Sequence, residues 1–178
     1  PFSWDRIVER HGHLAAIREA MLVLDGLPAA TRYALMTKLS DTLAQFVVAR
    51  NWLSADRAGR IASEARDRST VHIAARDDGT DMEGLVRHLR ATGHLTAGLI
   101  LRTLLSGNLD LFHCALAELS GLPLARVSAL MHDRGRASLD SLLIKAGLPE
   151  STFAAFHVAV DVGHEIGYAD SDGAAARL

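Results

Sequence analysis

The sequence predicts an all-α protein, either a stacked, solenoid-like array of short helices or an irregular helical bundle. Three observations carry this. Gly93, Gly107, Gly121 and Gly135 stand fourteen residues apart, and Gly147 closes the series two residues early. The Leu-rich segments between them span roughly three turns, too long for ordinary strands and right for short helices. Upstream, Tyr33, Leu35, Met36, Leu39, Leu43, Phe46 and Val47 recur at three- and four-residue steps, the period of an amphipathic helix. Few stretches alternate with period two, and none is flanked like a hairpin.

In chain order, Ser3 is placed to cap a first helix that ends near His11-Gly12-His13. A second helix is expected from Leu14 to Leu24, stopped by Asp25-Gly26. Pro28 sits where a helix opens, because its missing N–H would be unpaired there. One helix of about six turns follows from Ala29 to Arg50, and Asn51 breaks it. Ser54 is a good N-cap for Ala55 to Ala75, a helix polar on much of its circumference whose apolar side consists of small residues with Ile61, Val71 and Ile73. Arg76-Asp77-Asp78-Gly79 is the clearest break in the chain. Thr80 with Glu83 reads as a capping box for a helix over 81–92. Thr96 and Asn108 cap the next two helices, Pro123 opens another, Ser138 caps a further one, and Pro149 begins the last, reaching about Gly167. The expected organisation is one helical domain over 1–167 with a continuous core. Longer amphipathic helices fill 1–76, a short-helix array fills 80–167, and 168–178 is a tail.

Bulk properties narrow the function classes. The 178 residues can bury a sizeable core, and 49% hydrophobic with 22% charged residues is a globular balance. A net charge of −2 gives no general affinity for nucleic acid or anionic membrane. Cys114 is the single cysteine, so no intrachain disulfide can form, and a cytoplasmic, reducing location is expected. No apolar run approaches the eighteen or so residues of a membrane span.

The segments NWLSADRAGRIASEARDRSTV, LTAGLILRTLLSGNLDLFHCALAELSGLPLARV and KAGLP resemble an uncharacterised proteobacterial family catalogued as domain of unknown function 2336. The likeness spans roughly Ala29 to Pro149 and is most specific over Leu95 to Val127. It implies an all-helical bacterial protein without assigned activity, whose relatives often carry more helical sequence upstream. It brings no catalytic motif. The start at Pro1, without an initiator Met, is read as that of a processed product or of the C-terminal part of a longer helical protein.

Candidate chemistry is sparse. On the last helix, His157, Asp161 and His164 fall on one face, with Glu165 adjacent, and two imidazoles with a carboxylate are a possible zinc or iron set. Phe153, Phe156 and Val160 lie beside that face, so the histidines read first as groups at a packing edge. His11 and His13 could chelate together only in an extended loop. His113 and Cys114, as adjacent helical residues, diverge by about 100° and do not make a thiol–imidazole pair. The acidic run Asp77, Asp78, Asp81 lacks the order of a calcium loop. Arginines on the helix over 55–76 alternate with Asp56, Glu64 and Asp67, as on a solvated face. His72 and His157 are conceivable phosphotransfer sites without an acidic partner motif. There is no strand to carry a phosphate loop or a nucleophile elbow.

The expected function is therefore that of a non-enzymatic helical protein-interaction or scaffold module, with no catalytic residues, no resident cofactor, no nucleic acid and no membrane. The partner is another protein or a second copy; the apolar last helix must be covered either by the chain's own core, the favoured reading, or by a homodimer contact through Phe153, Phe156 and Val160. The alternative is a metal-binding, regulatory or enzymatic protein using His157, Asp161 and His164.

Overall fold

The computed structural model describes residues 2–76, 81–132 and 136–163, and every regular element among them is helical. In order these are α1 (Phe2–His11), α2 (Ala15–Leu22), α3 (Ala29–Ala49), α4 (Ala55–Arg76) and α5 (Met82–Ala91). They continue as α6 (Ala97–Leu105), α7 (Leu109–Ser120), α8 (Leu124–His132), α9 (Arg136–Lys145), a single 3-10 turn (Glu150–Thr152) and α10 (residues 153–163).

Local chemistry sets the ends of these helices. At Gly93, Gly107 and Gly147 the chain enters the left-handed region, with φ of 73°, 74° and 71°. In each case the next N–H reaches back to the carbonyl five residues earlier: His94 to Leu89, Asn108 to Thr103 and Leu148 to Leu143. This is the Schellman closure, which satisfies carbonyls that the helix end would otherwise leave bare. Gly121 uses the simpler left-handed form, its N–H donating to the Ala117 carbonyl. Gly135, the remaining member of the series, lies outside the described residues. Asn51 closes α3 in the same Schellman manner with φ of 56°, which asparagine tolerates better than other side chains.

The N-termini agree with the sequence at five places and differ at three. Ser54 Oγ accepts from Arg57 N at 3.4 Å, Thr96 Oγ1 from Leu99 N at 3.2 Å and Asn108 Oδ1 from Leu111 N at 3.1 Å, as expected of N-caps. Ser3 and Ser138 instead lie inside α1 and α9, which begin upstream of them. Pro28 and Pro123 open α3 and α8 as expected, each standing one residue before the first helical position and offering its carbonyl to the N–H four residues on. The third difference is at α5. Its start is set by Asp81, whose carbonyl accepts from Leu85 N, so Glu83 sits one position early for a capping box. Thr80 lies outside the described residues, as do 164–178, which include the expected tail.

The chain divides into two compact units, Pro1–His88 and Leu89–Leu178. The division falls inside α5 and not at the Asp77–Gly79 break. In the first unit, Val8, Met21, Leu27 and Leu35 form a buried cluster edged by Trp4, Ile7, Ile17 and Ala34. At Gly12, just past α1, a Cβ would collide with the Val8 carbonyl of the same helix and press on the Lys38 side chain of α3. The carboxylate of Asp81 joins distant segments: Oδ2 accepts from Ala29 N, the first residue of α3, at 2.7 Å. Nearby, Tyr33 is buried and meets His88 edge-on at 5.8 Å between ring centres. Burial holds the Tyr33 phenol above its ordinary pKa of 10.0 and the His88 imidazole below its ordinary 6.5.

The second unit is organised around α7, which touches α6, α8 and α9. Between α7 and α8 the chain bends by 115°, so the two helices wrap a common core. Phe112 and Phe156 are fully buried there with ring centres 6.3 Å apart, among Leu116, Val127, Leu142 and Leu143. Phe153 and Val160 pack against the edge of the same core. Phe156 is thus enclosed by its own chain, the alternative favoured for the last helix over a homodimer contact. Among the described residues, α10 leaves Val158 and Val162 exposed.

Candidate functional site

Two of the polar residues singled out on the last helix are drawn into structural pairs. His157 Nε2 lies 2.7 Å from Asp140 Oδ1 on α9, and Asp161 Oδ2 lies 3.3 Å from Arg136 Nη2. His164 and Glu165 are outside the described residues. Around His11 and His13, Arg18 Nη1 donates to the carbonyls of Gly12 at 3.0 Å and His13 at 2.7 Å, which fixes the turn and leaves both imidazoles exposed. On α4, Arg66 pairs with Asp41 at 2.9 Å and Arg68 with Glu64 at 2.7 Å, while His72 is exposed. No group of three potential metal ligands comes together among the described residues.

One histidine pair that the sequence did not suggest is created by the fold. His113 on α7 and His132 at the end of α8 line a cleft of about 370 Å³ in the second unit, with Leu104, Leu109, Met131 and Val160. His132 Nδ1 lies 2.7 Å from the Ser128 carbonyl, a contact it makes as a donor. Burial pushes the His113 imidazole below its ordinary pKa of 6.5; Asp110 acts in the opposite sense, and His132 in the same sense as burial. A depressed folded-state value means that the unfolded chain binds the proton first as pH falls below about 6.5. The contribution of His113 is therefore complete above that pH and is lost on acidification. Melting temperature is expected to fall between pH 7.5 and 5, with a shallower fall in His113→Gln. A wild-type profile flat over that range, or one unchanged by the substitution, would contradict the assignment.

Several large apolar side chains are exposed on the hairpin of α3 and α4. Residues near the base of α3, Tyr33 and Leu35, are buried, but the same apolar stripe continues toward the turn and emerges into solvent. Leu43 is 54% exposed, Phe46 46%, Trp52 66% and Ile61 51%. The cause is the sequence of α4, whose facing residues Ala58, Ala62 and Ala65 are too short to cover the side chains opposite. Between the helices they leave an apolar groove of about 170 Å³, walled by Leu43, Val47, Leu53 and Ile61.

At the turn, the left-handed Asn51 lets Trp52 N donate to Val47 O at 3.0 Å, which fixes the backbone that carries the indole. Trp52 meets Phe46 edge-on at 5.6 Å, and the Arg50 guanidinium sits 5.3 Å from the centre of the Phe46 ring. Tryptophan, a second aromatic and arginine, held rigidly beside an apolar groove, have the composition of protein-binding hot spots. From the sequence, Leu43 and Phe46 belong to the amphipathic stripe and Asn51 is a helix break. The available signal was the mismatch between a bulky α3 stripe and an alanine-rich α4 face.

No single helix among the described residues is long and apolar enough to cross a membrane. Comparison with curated proteins and with solved structures gave no match. A family model described as "Uncharacterised protein conserved in bacteria (DUF2336)" matches residues 1–178, extending the likeness beyond Ala29–Pro149 in both directions. The chain belongs to this bacterial family, DUF2336.

Proposed function

We propose that the chain is a non-enzymatic helical interaction module whose working surface is the exposed apolar face of the α3–α4 hairpin. The observation that carries this reading is the Trp52–Phe46–Arg50 cluster beside the alanine-floored groove. Leaving this much apolar surface in water gains the folded chain nothing, since burial of apolar area is the main favourable term in both folding and association. A contiguous exposed patch of this kind marks an interaction site more often than chance. The polar pairs of α9 and α10, His157 with Asp140 and Asp161 with Arg136, support a structural role for that region. One half-buried thiol, Cys114, fits a reducing compartment.

The test compares the tagged full chain with variants in bacterial extract, separated by native size. Wild type should migrate in a complex that Phe46→Ala with Trp52→Ala dissolves. Val23→Ser, on an exposed residue of the same unit away from the hairpin, should leave the complex intact. A complex indifferent to Phe46 and Trp52, or an equal loss from Val23→Ser, would defeat the proposal.

A further inference from the structure

We infer that the occupant of the hairpin face is a second copy of this chain, docked hairpin to hairpin as a two-fold symmetric four-helix bundle. The inference rests on the reading of that face as the working surface, and three observations select this occupant. The first is the spacing of the groove: Ser40, Leu43, Ala44 and Val47 on α3, and Ala58, Ile61, Ala62 and Ala65 on α4, recur at three- and four-residue steps. A seam of that period accepts other helices, knob into hole.

The second is that bulk is divided unequally between the two helices. Leu43, Phe46 and Val47 are large and stand on α3; on α4 the groove has one large residue, Ile61, beside the exposed Ala65 and the buried floor residues Ala58 and Ala62. A two-fold axis can place each copy's α3 over its partner's α4, setting large residues against small on both sides at once. An isologous interface must be self-complementary, and this face carries both halves of the match.

The third is area. Taking aromatic side chains at roughly 150–250 Å² and aliphatic ones somewhat lower, the exposed fractions of Leu43, Phe46, Trp52 and Ile61 amount to on the order of 400 Å² per chain. Two such faces bring about half of a standard interface of roughly 1,600 Å², close to the apolar share that such interfaces have.

Sedimentation of the purified full chain over about 1–200 µM tests this, because a standard interface of this kind gives Kd values within or below that range. The expected result is reversible conversion between the 19.1 kDa chain and a species of twice that mass. Phe46→Asp and Ile61→Glu, both on exposed positions, should each weaken it at least about 30-fold, as loss of a hot-spot contact does, with circular dichroism unchanged. In Trp4→Phe, which leaves Trp52 as the remaining tryptophan, emission should shift to the blue as concentration rises. A chain that stays monomeric throughout, or a dimer indifferent to both substitutions, overturns the inference. If the chain is monomeric while the extract complex still depends on Phe46 and Trp52, the second copy is excluded and the docking surface stands. If that dependence is also missing, both readings fall.

Discussion

Phe156→Ala is expected to destabilise the protein by about 3–5 kcal/mol, the largest effect of any single truncation considered for this chain. The ring is fully buried, lies 6.3 Å from that of Phe112, and sits among side chains from α7, α8 and α9. Removing it leaves a cavity that close-packed neighbours cannot collapse to fill, so the lost contacts add to the lost transfer free energy. Phe156→Leu, which keeps much of the volume, should cost less than half as much. Urea unfolding of both variants provides the measurement. It also separates two roles for α10, since a residue committed to a partner would alter association while leaving the unfolding free energy nearly unchanged. A loss below about 1 kcal/mol for Phe156→Ala would contradict the buried placement.

Asp81→Ala should be the most damaging polar substitution in the first unit, at about 1.5–3 kcal/mol, the range for hydrogen bonds to a charged group. Its Oδ2 accepts the amide of Ala29 at 2.7 Å, fifty-two residues away in the chain. Ala29 heads α3, so the carboxylate meets an N–H that has no partner within the helix, at the positive end of the helix dipole. Pro28, one residue earlier, supplies no side-chain oxygen to do the same. Asp81→Asn retains an acceptor without the charge and should recover part of the loss. Equal stability for wild type and Asp81→Ala, measured by urea unfolding, would show that the contact contributes nothing.

What could be read from the sequence was what depends on neighbouring residues. Gly93, Gly107 and Gly147 end helices because few other residues adopt their backbone angles cheaply, and that requirement is independent of tertiary packing. Ser54, Thr96 and Asn108 cap for equally local reasons. Ser138 failed as a start signal because α9 had already begun at Arg136, leaving the serine in the first turn. The cap from Asp81 to Ala29 and the His157–Asp140 pair join residues far apart in sequence, so no local pattern announces them. The hairpin face stayed hidden for a different reason. An amphipathic stripe tells which residues share a side, not whether the opposing helix is large enough to cover them. On α3 Leu35 is buried against Val8, Met21 and Leu27, whereas Leu43 shares its groove with the alanines of α4 and stays exposed.

Site-specific photo-cross-linking of the full chain inside bacteria addresses the hairpin face most directly. The reactive group would be placed at Trp52 or Ile61, with Val23 as an exposed apolar control. Positions 52 and 61 should give one discrete adduct at twice the mass of the chain, and position 23 should not. Equal labelling at all three positions, or none at 52 and 61, would contradict the account.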